Sequence, residues 1–301
     1  MSLERTVWAA LSGSLALSTT VAFIRHEEEF ARRAGLHGTQ LIRAGDGRVV
    51  EYSFTQSSSS DVTIILENGL GAALESWDWV SRMLAPHASV LRYHRRGYAR
   101  TKSRLDAGAL LETLLGRLAP SGPVVLAGHS IGALVAANAL AQSGYLQSRV
   151  VGVVIIDGTD ADLLAEDRGD ARRRGRFAQD LGLELFASVT GMNRWVQSPL
   201  ERAVQYLPDI QRAVLQTGTS PGTLYAAARE YRHEPLDGQL FLTRSTIPIL
   251  VVSAADNVKQ QKALAGKLGA DFRIVASSEH RSIIGKPDLA SQAADLIRSV
   301  A

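Results

Sequence analysis

The sequence predicts an α/β fold with a doubly wound, mostly parallel sheet, and two features of the chain support this prediction. Short apolar runs rich in β-branched residues are typical of strands that are buried on both faces of a parallel sheet. Helix-like segments separate these runs, which is the alternation expected of crossover units. The strand-like runs are residues 62–66, 89–93, 124–126, 150–156, 249–252 and 272–275, and the helix-like segments are 77–84, 107–118, 133–141, 260–268 and 287–300.

Two further segments extend this pattern. Residues 39–43 and 49–55 read as short strands joined by a glycine-rich turn, which is a hairpin signal. From 159 to about 246 no strand signal occurs, and charged amphipathic stretches predict helices, one of them beginning at Ser220-Pro221. We therefore expect a core formed by 39–158 and 245–301, a helical cap inserted at 159–244, and a separate helical segment at 1–38.

The composition limits the possible functions. With 46% hydrophobic and 21% charged residues, the 301-residue chain can bury the core of one large domain. Its 33 basic and 30 acidic residues leave a net charge of only +3, which does not indicate nucleic-acid binding. Because the chain contains no cysteine, disulfides, cysteine metal sites and a thiol nucleophile are excluded.

A Gly-x-Ser-x-Gly motif carries the main functional signal. Gly128-His129-Ser130-Ile131-Gly132 follows a predicted strand directly and precedes a helix of small residues. In this context the serine lies on a sharp strand-to-helix turn, and the flanking glycines let the helix approach the sheet closely. The amide of Ile131, at the helix start, then points toward developing negative charge. Ser130 is the predicted nucleophile.

From residue 39 to residue 300 the chain resembles the α/β-hydrolase superfamily, with the turn at 128–132, which we call the elbow, at the expected place. Glu67-Asn68-Gly69-Leu70-Gly71 is similar to the oxyanion loop of that family, which implies that the Leu70 amide is a second donor to the oxyanion beside Ile131. An ordinary glycine turn is the alternative for this segment. The resemblance implies a sheet of the α/β-hydrolase type with an inserted helical cap.

A third segment, residues 92–100, resembles the Asp-Arg-x-Gly-x-Gly segment of the family but departs from it twice. His94 stands where an acid is usual, and Ala99 replaces a glycine. Because this segment is mainly structural in the family, neither change affects the expected chemistry.

A serine hydroxyl needs a base, and the base needs a third group that holds its tautomer. His280 follows the last predicted strand, as the family's base does, whereas His129 adjoins the serine and is expected to pack away from it. Two acids are candidates. Asp256, after the strand at 249–252, is preferred because the family usually keeps its carboxylate there, and Asp157, after the strand at 150–156, is the alternative acid.

These residues predict hydrolysis of carboxylic esters with a hydrophobic acyl group, with no cofactor, since dinucleotide, phosphate-loop and metal-ligand spacings are missing from the sequence. The same triad would serve a thioesterase, amidase, acyltransferase, cofactor-free perhydrolase or carbon-carbon hydrolase, and the fold also supports ligand-binding modules. Aromatic residues of the cap either line an acyl pocket or pack within the cap: Phe177, Phe186, Trp195, Tyr206, Tyr225 and Tyr231.

The first residues form a separate case. Residues 6–24 are uncharged, and as a helix they would extend about 28 Å, close to the ~30 Å of a bilayer core. A membrane anchor, a helix docked on the domain and a cleaved signal peptide are the three interpretations. If the segment is a membrane anchor, the basic residues that follow it, Arg25, Arg32 and Arg33, place the catalytic domain on the cytoplasmic side by the positive-inside rule. We therefore expect a cytoplasmic protein, which is tethered to the membrane if residues 6–24 span the bilayer.

Overall fold

The computed structural model describes residues 38–190 and 203–301, and its centre is an eight-stranded sheet. Each predicted strand is present. The strands are β1 (Gln40–Arg43), β2 (Val49–Thr55), β3 (Thr63–Glu67), β4 (Ser89–Tyr93), β5 (Val124–His129), β6 (Val150–Ile156), β7 (Ile249–Ala254) and β8 (Asp271–Val275). Three of them (β5, β7 and β8) are longer than the apolar run that indicated them.

The strand order explains where a site can form. Across the sheet the order is β1-β2-β4-β3-β5-β6-β7-β8. The β1–β2 and β2–β4 pairs are antiparallel, and all pairs from β4 to β8 are parallel. The chain winds outward in both directions from the β3–β5 pair, so the connections after these strands diverge and leave a crevice at their carboxyl ends.

Helices cover both faces of the sheet. Helices join the successive parallel strands, which is the crossover pattern predicted from the sequence. The helices are α1 (Asp78–Leu84), α2 (Ala107–Leu118), α3 (Ile131–Gln142), α4 (Gly144–Gln147), α5 (Ala161–Gly169), α6 (Ala171–Thr190), α7 (Pro208–Gly218), α8 (Pro221–His233), α9 (Gly238–Leu242), α10 (Val258–Leu268), α11 (Ser282–Gly285) and α12 (Pro287–Arg298), and a 3₁₀ turn at Leu74–Trp77 leads into α1.

Alternate residues of the central strands enter two separate cores. In β5, Val124 and Leu126 pack with α2, α3 and α10, whereas Val125 and Ala127 pack with α1 and α12 on the other face. This alternation follows from the two-residue repeat of a strand. Because both faces are covered, the central strands are apolar along their length, which is the feature that made them recognisable in the sequence.

Helices α5 to α9 lie between β6 and β7, in the interval where strand signals were missing from the sequence. The last of these helices, α9, packs against α3 of the core. The Asn138 side chain of α3 accepts a hydrogen bond from the Gly238 amide (2.9 Å) and donates to the Pro235 carbonyl (2.8 Å). We call residues 159–244 the insertion. The predicted helix start at Ser220 is confirmed, since its hydroxyl accepts from the Thr223 amide (3.1 Å).

The expectation for residues 6–24 lies outside the described residues. Among the residues that the structure describes, no helix combines the length and the apolar character needed to cross a bilayer.

The turn from β5 into α3 leaves no room for side chains at its glycines. A Cβ on Gly128 would lie 2.5 Å from the backbone of Ala133. A Cβ on Gly132 would lie 2.4 Å from the Asn68 carbonyl oxygen and 2.5 Å from that of Glu67, at the end of β3. Close approach of the helix to the neighbouring strand therefore requires glycine at these positions.

We predict that Gly132→Ala destabilises the protein by about 1–3 kcal/mol, because the new methyl group would overlap backbone atoms that cannot rotate away. Gly116→Ala is the matched control. Gly116 is an exposed residue of α2 with no atom within 4 Å of a Cβ placed there, so alanine should raise stability by roughly 0.5–1 kcal/mol. Chemical denaturation of both variants measures the two effects. Equal stability of Gly132→Ala and the wild type would contradict the packing described.

Candidate active site

Ser130 lies at the carboxyl end of β5, beside the β3–β5 crevice. Its backbone has φ 57° and ψ −128°, a region that residues with a Cβ rarely occupy. Hydrogen bonds to neighbouring elements hold this conformation: the Ser130 amide donates to the Ile156 carbonyl (3.1 Å), and the Ser130 carbonyl accepts from Ala133 (3.2 Å) and Thr159 (3.1 Å). The side chain is partly exposed at the head of α3.

The His280 ring lies against a buried carboxylate. Its Nδ1 is 2.5 Å from Oδ2 of Asp157, whose side chain is 1% exposed, whereas that of His280 is 44% exposed. Oδ1 of Asp157 accepts from the Ala254 amide and from the side-chain amide of Asn257, each at 3.2 Å. Because an ionised carboxylate only accepts, neutral His280 carries its proton on Nδ1, and Nε2 keeps a free lone pair.

The environment of Asp157 favours its charged form. Burial raises the pKa of Asp157, but the hydrogen bond from His280, the charge of His280 and the Ala254 amide outweigh it, and the net pKa lies below the usual value. The carboxylate therefore stays ionised at neutral pH and can stabilise a positive charge on the imidazole.

The structure does not bring Asp256, the acid preferred from the sequence, to His280; the carboxylate beside His280 belongs to Asp157, the alternative acid. Strand β7 ends at Ala254, and the turn that follows carries Asp256 to the exposed surface. The β7 end instead contributes the Ala254 amide and the Asn257 side chain, both of which bond to Asp157. The order of serine, acid and histidine along the chain is unchanged.

His129, the residue before Ser130, is buried and packs against Trp77 and His280. Its ring stands edge-on to Trp77, with centroids 6.3 Å apart, and lies 4.6 Å from the His280 ring. Nε2 of His129 is 2.6 Å from the carbonyl oxygen of His280. Burial and the nearby His280 lower the pKa of His129 to about 3, so its ring is neutral and donates from Nε2 to that carbonyl. This contact fixes the His280 loop beside the elbow.

The segment that follows β3 lies against the elbow. A Cβ on Gly69 would lie 3.4 Å from Cβ of Ser130 and 3.2 Å from Nδ1 of His129. The side chain of the next residue, Leu70, packs in one apolar cluster with Ile131. The structure thus brings the side chains of Leu70 and Ile131 into contact near Ser130, which the spacing in the sequence could not establish.

A buried polar group below this segment was missed by the sequence analysis. Glu67, at the end of β3, is fully buried, accepts from the Tyr93 hydroxyl and lies 3.2 Å from Nη1 of Arg95. Burial raises the pKa of the Glu67 carboxyl, and Arg95 opposes that effect. A glutamate at the end of an otherwise apolar strand was the available signal.

Ala99, which replaces a family glycine, keeps the left-handed conformation with φ 46°.

Comparison with known families identifies the chain. A model of the alpha/beta hydrolase family matches residues 64–293, which is most of the chain. The protein therefore belongs to the alpha/beta hydrolase family and is a hydrolase, as the elbow motif and the strand pattern indicate. No curated protein sequence matches the chain.

Solved structures share the fold at low sequence identity. An esterase from Thermogutta terrifontis has a TM-score of 0.63 and 18% identity, over 87% of this chain and 98% of that one. A structure from a study of carboxylesterases of Nitrososphaera gargenis has a TM-score of 0.63 and 17% identity, over 87% of this chain and 98% of that one. The enol-lactonase from Burkholderia xenovorans has a TM-score of 0.61 and 18% identity, over 87% of this chain and 99% of that one. At these identities the similarity establishes the architecture of the chain.

We predict that Asp157→Asn lowers kcat for p-nitrophenyl acetate by about 10⁴-fold, because an amide beside Nδ1 no longer fixes the tautomer that leaves Nε2 as the base. Asp256→Asn makes the same chemical change on an exposed residue and should leave kcat close to that of the wild type. Steady-state kinetics of the two variants decides between the acids. A crippled Asp256→Asn enzyme beside an active Asp157→Asn enzyme would refute the geometric assignment.

Proposed function

We propose that the protein is a serine hydrolase that cleaves carboxylic esters, with Ser130 as nucleophile, His280 as base and Asp157 as the orienting acid. The observation that carries this proposal is the buried Asp157 carboxylate on Nδ1 of His280, whose carbonyl is bonded to the residue preceding Ser130. A carboxylate, an imidazole and a partly exposed serine on a strained turn form the arrangement that activates a hydroxyl for acyl transfer.

The proposed reaction proceeds in two halves. Nε2 of His280 takes the proton of the Ser130 hydroxyl as its Oγ attacks the ester carbonyl, and Asp157 stabilises the imidazolium that forms. The amides of Leu70 and Ile131 donate to the oxyanion of the tetrahedral intermediate. His280 then protonates the departing alcohol, and the acyl group stays on Ser130. A water molecule, deprotonated by His280, attacks the acyl carbon, and His280 returns this proton to Oγ as the acyl–Oγ bond breaks and the carboxylic acid leaves.

The N-terminus of α3 supports the charge distribution of this mechanism. Ile131 is the first residue of α3, and the amides at the start of a helix are not used in its own hydrogen bonds. The positive end of the helix dipole adds to their attraction for an oxyanion. Negative charge that develops on a substrate at Ser130 is therefore stabilised by the start of α3.

We predict that Ser130→Ala lowers ester hydrolysis by about 10⁶-fold, because no other group supplies the attacking oxygen. Ser148→Ala serves as the matched control, since Ser148 is an exposed serine whose hydroxyl bonds to the Tyr145 carbonyl. A fluorophosphonate probe should label the wild type and the control but not Ser130→Ala. Hydrolysis by Ser130→Ala at a tenth of the wild-type rate would reject the proposal.

The insertion is proposed to form the acyl side of the site. Ala161 and Leu164 of α5 pack with Ile131 and Leu134 of α3, and the Leu70 side chain joins the same cluster. Apolar side chains of the insertion therefore pack against the first residues of α3, which supports a role for them in holding a hydrophobic acyl group.

Trp195 lies outside the described residues, and the other aromatic residues singled out from the sequence divide between packing and exposure. Phe177 and Tyr231 stack at 3.9 Å within the insertion, and Tyr206 donates to the Ser76 carbonyl at 2.8 Å. Phe186 and Tyr225 are largely exposed. For Phe177, Tyr231 and Tyr206, packing is therefore a sufficient explanation.

We predict that Leu164→Ala changes acyl preference, because removing three carbons beside Ile131 enlarges the space available to the chain. The ratio of kcat/KM for an octanoate ester to that for an acetate ester should rise about tenfold. Leu163→Ala, on the exposed side of the same helix, should leave that ratio unchanged. An unaltered ratio in a folded Leu164→Ala variant would exclude the insertion from the acyl site.

A further inference from the structure

A glutamate of the insertion holds a buried arginine of the core. Nε and Nη2 of Arg95 lie 2.6 and 2.8 Å from the two carboxylate oxygens of Glu230, on α8. Both side chains are at least nine-tenths buried. Two parallel hydrogen bonds between a guanidinium and a carboxylate fix the orientation of both groups as well as their distance.

The same arginine binds the segment that follows β3. Its Nη1 donates to the Asn68 carbonyl at 2.7 Å, and its Nη2 approaches the Gly69 carbonyl at 3.3 Å. The Gly69 carbonyl belongs to the peptide unit that carries the Leu70 amide. Because a trans peptide is planar, its carbonyl and its N–H point in opposite directions. An arginine that holds the Gly69 oxygen therefore sets the direction in which the Leu70 N–H points.

A tyrosine makes a second link between Glu230 and this segment. The Tyr98 hydroxyl donates to Oε2 of Glu230 at 2.7 Å and accepts from the Gly71 amide at 3.2 Å. The Leu70 peptide is thus fixed on both sides, through Arg95 at Gly69 and through Tyr98 at Gly71. Both contacts converge on the one carboxylate of Glu230.

Helix α8 also packs directly on the same part of the core. Ala226 and Ala227 form an apolar cluster with Tyr98 and Leu70. A Cβ on Gly97 would lie 2.9 Å from Cβ of Ala226, which shows how closely the helix approaches the segment that carries Arg95. The position of Glu230 is therefore set by apolar packing as well as by its hydrogen bonds.

We propose that Glu230 is a positioning residue for the oxyanion donor: through Arg95 and Tyr98, helix α8 of the insertion orients the Leu70 peptide. This inference rests on the proposed function for its kinetic consequence. Its structural content, the dependence of the 68–71 segment on Glu230, stands independently of any reaction. The insertion then has a role in catalysis besides covering the acyl site.

The kinetic test uses Glu230→Gln in the full chain with p-nitrophenyl acetate, a substrate with little acyl group for the insertion to bind. We expect kcat to fall about tenfold with KM unchanged, a smaller loss than the ~10²-fold that follows removal of an oxyanion donor. Arg95→Lys should lose about 10²-fold in kcat, because an ammonium group cannot span Glu230 and both carbonyls. Glu166→Gln, the same change at an exposed site of the insertion, should behave as the wild type.

Two further measurements separate positioning from general weakening. Leu224→Ala removes a buried side chain of α8 without a polar contact to Arg95, and it should lower Tm while keeping kcat. Amide hydrogen exchange in residues 68–71 should accelerate in Glu230→Gln but not in Glu166→Gln. Unchanged exchange in that segment, or a kcat loss in Leu224→Ala equal to that in Glu230→Gln, would overturn the inference. Accelerated exchange in a protein that hydrolyses no ester would retain the coupling and reject the proposed function.

Discussion

The backbone of Ser130 at positive φ is the constraint on which the arrangement of the site depends. A residue with a Cβ in this region costs on the order of 1–3 kcal/mol, which surrounding contacts must offset. The offset comes from hydrogen bonds to Ile156, Ala133 and Thr159. The same turn brings Gly132 close to the carbonyls of Glu67 and Asn68 at the end of β3. The strained turn therefore fixes three neighbouring strands relative to one another.

From this turn the charges of the site follow in order. Asp157 leaves β6 immediately after the carbonyl that bonds to Ser130, and it too adopts positive φ, at 44°. Its carboxylate is buried, accepts from Ala254 and Asn257, and remains ionised beside His280. Burial also disfavours the charged form of His129 and lowers its pKa to about 3, so its ring stays neutral and donates to the His280 backbone. One buried carboxylate and one buried neutral imidazole thus hold the same loop from two sides.

Most of the fold could be predicted from the sequence because a sheet covered on both faces leaves a strong signal in each strand. The bounds of β2, β4, β6 and α2 agree with prediction to the residue. The acid could not be predicted, because Asp157 and Asp256 both follow apolar strands, and the choice depends on how the turn after Ala254 directs its side chains. The link from Glu230 to Arg95 joins residues 135 positions apart. No local pattern in a single sequence carries information about such a contact.

A crystal structure of the protein after reaction with a p-nitrophenyl alkylphosphonate tests the central claim most directly, because the adduct resembles the tetrahedral intermediate. We expect phosphorus bonded to Oγ of Ser130 and one phosphonyl oxygen within about 2.7–3.1 Å of the amides of both Leu70 and Ile131. Nε2 of His280 should lie beside the ester oxygen, with Asp157 on Nδ1. Phosphorus on another residue, or a phosphonyl oxygen directed away from both amides, would contradict the proposed site.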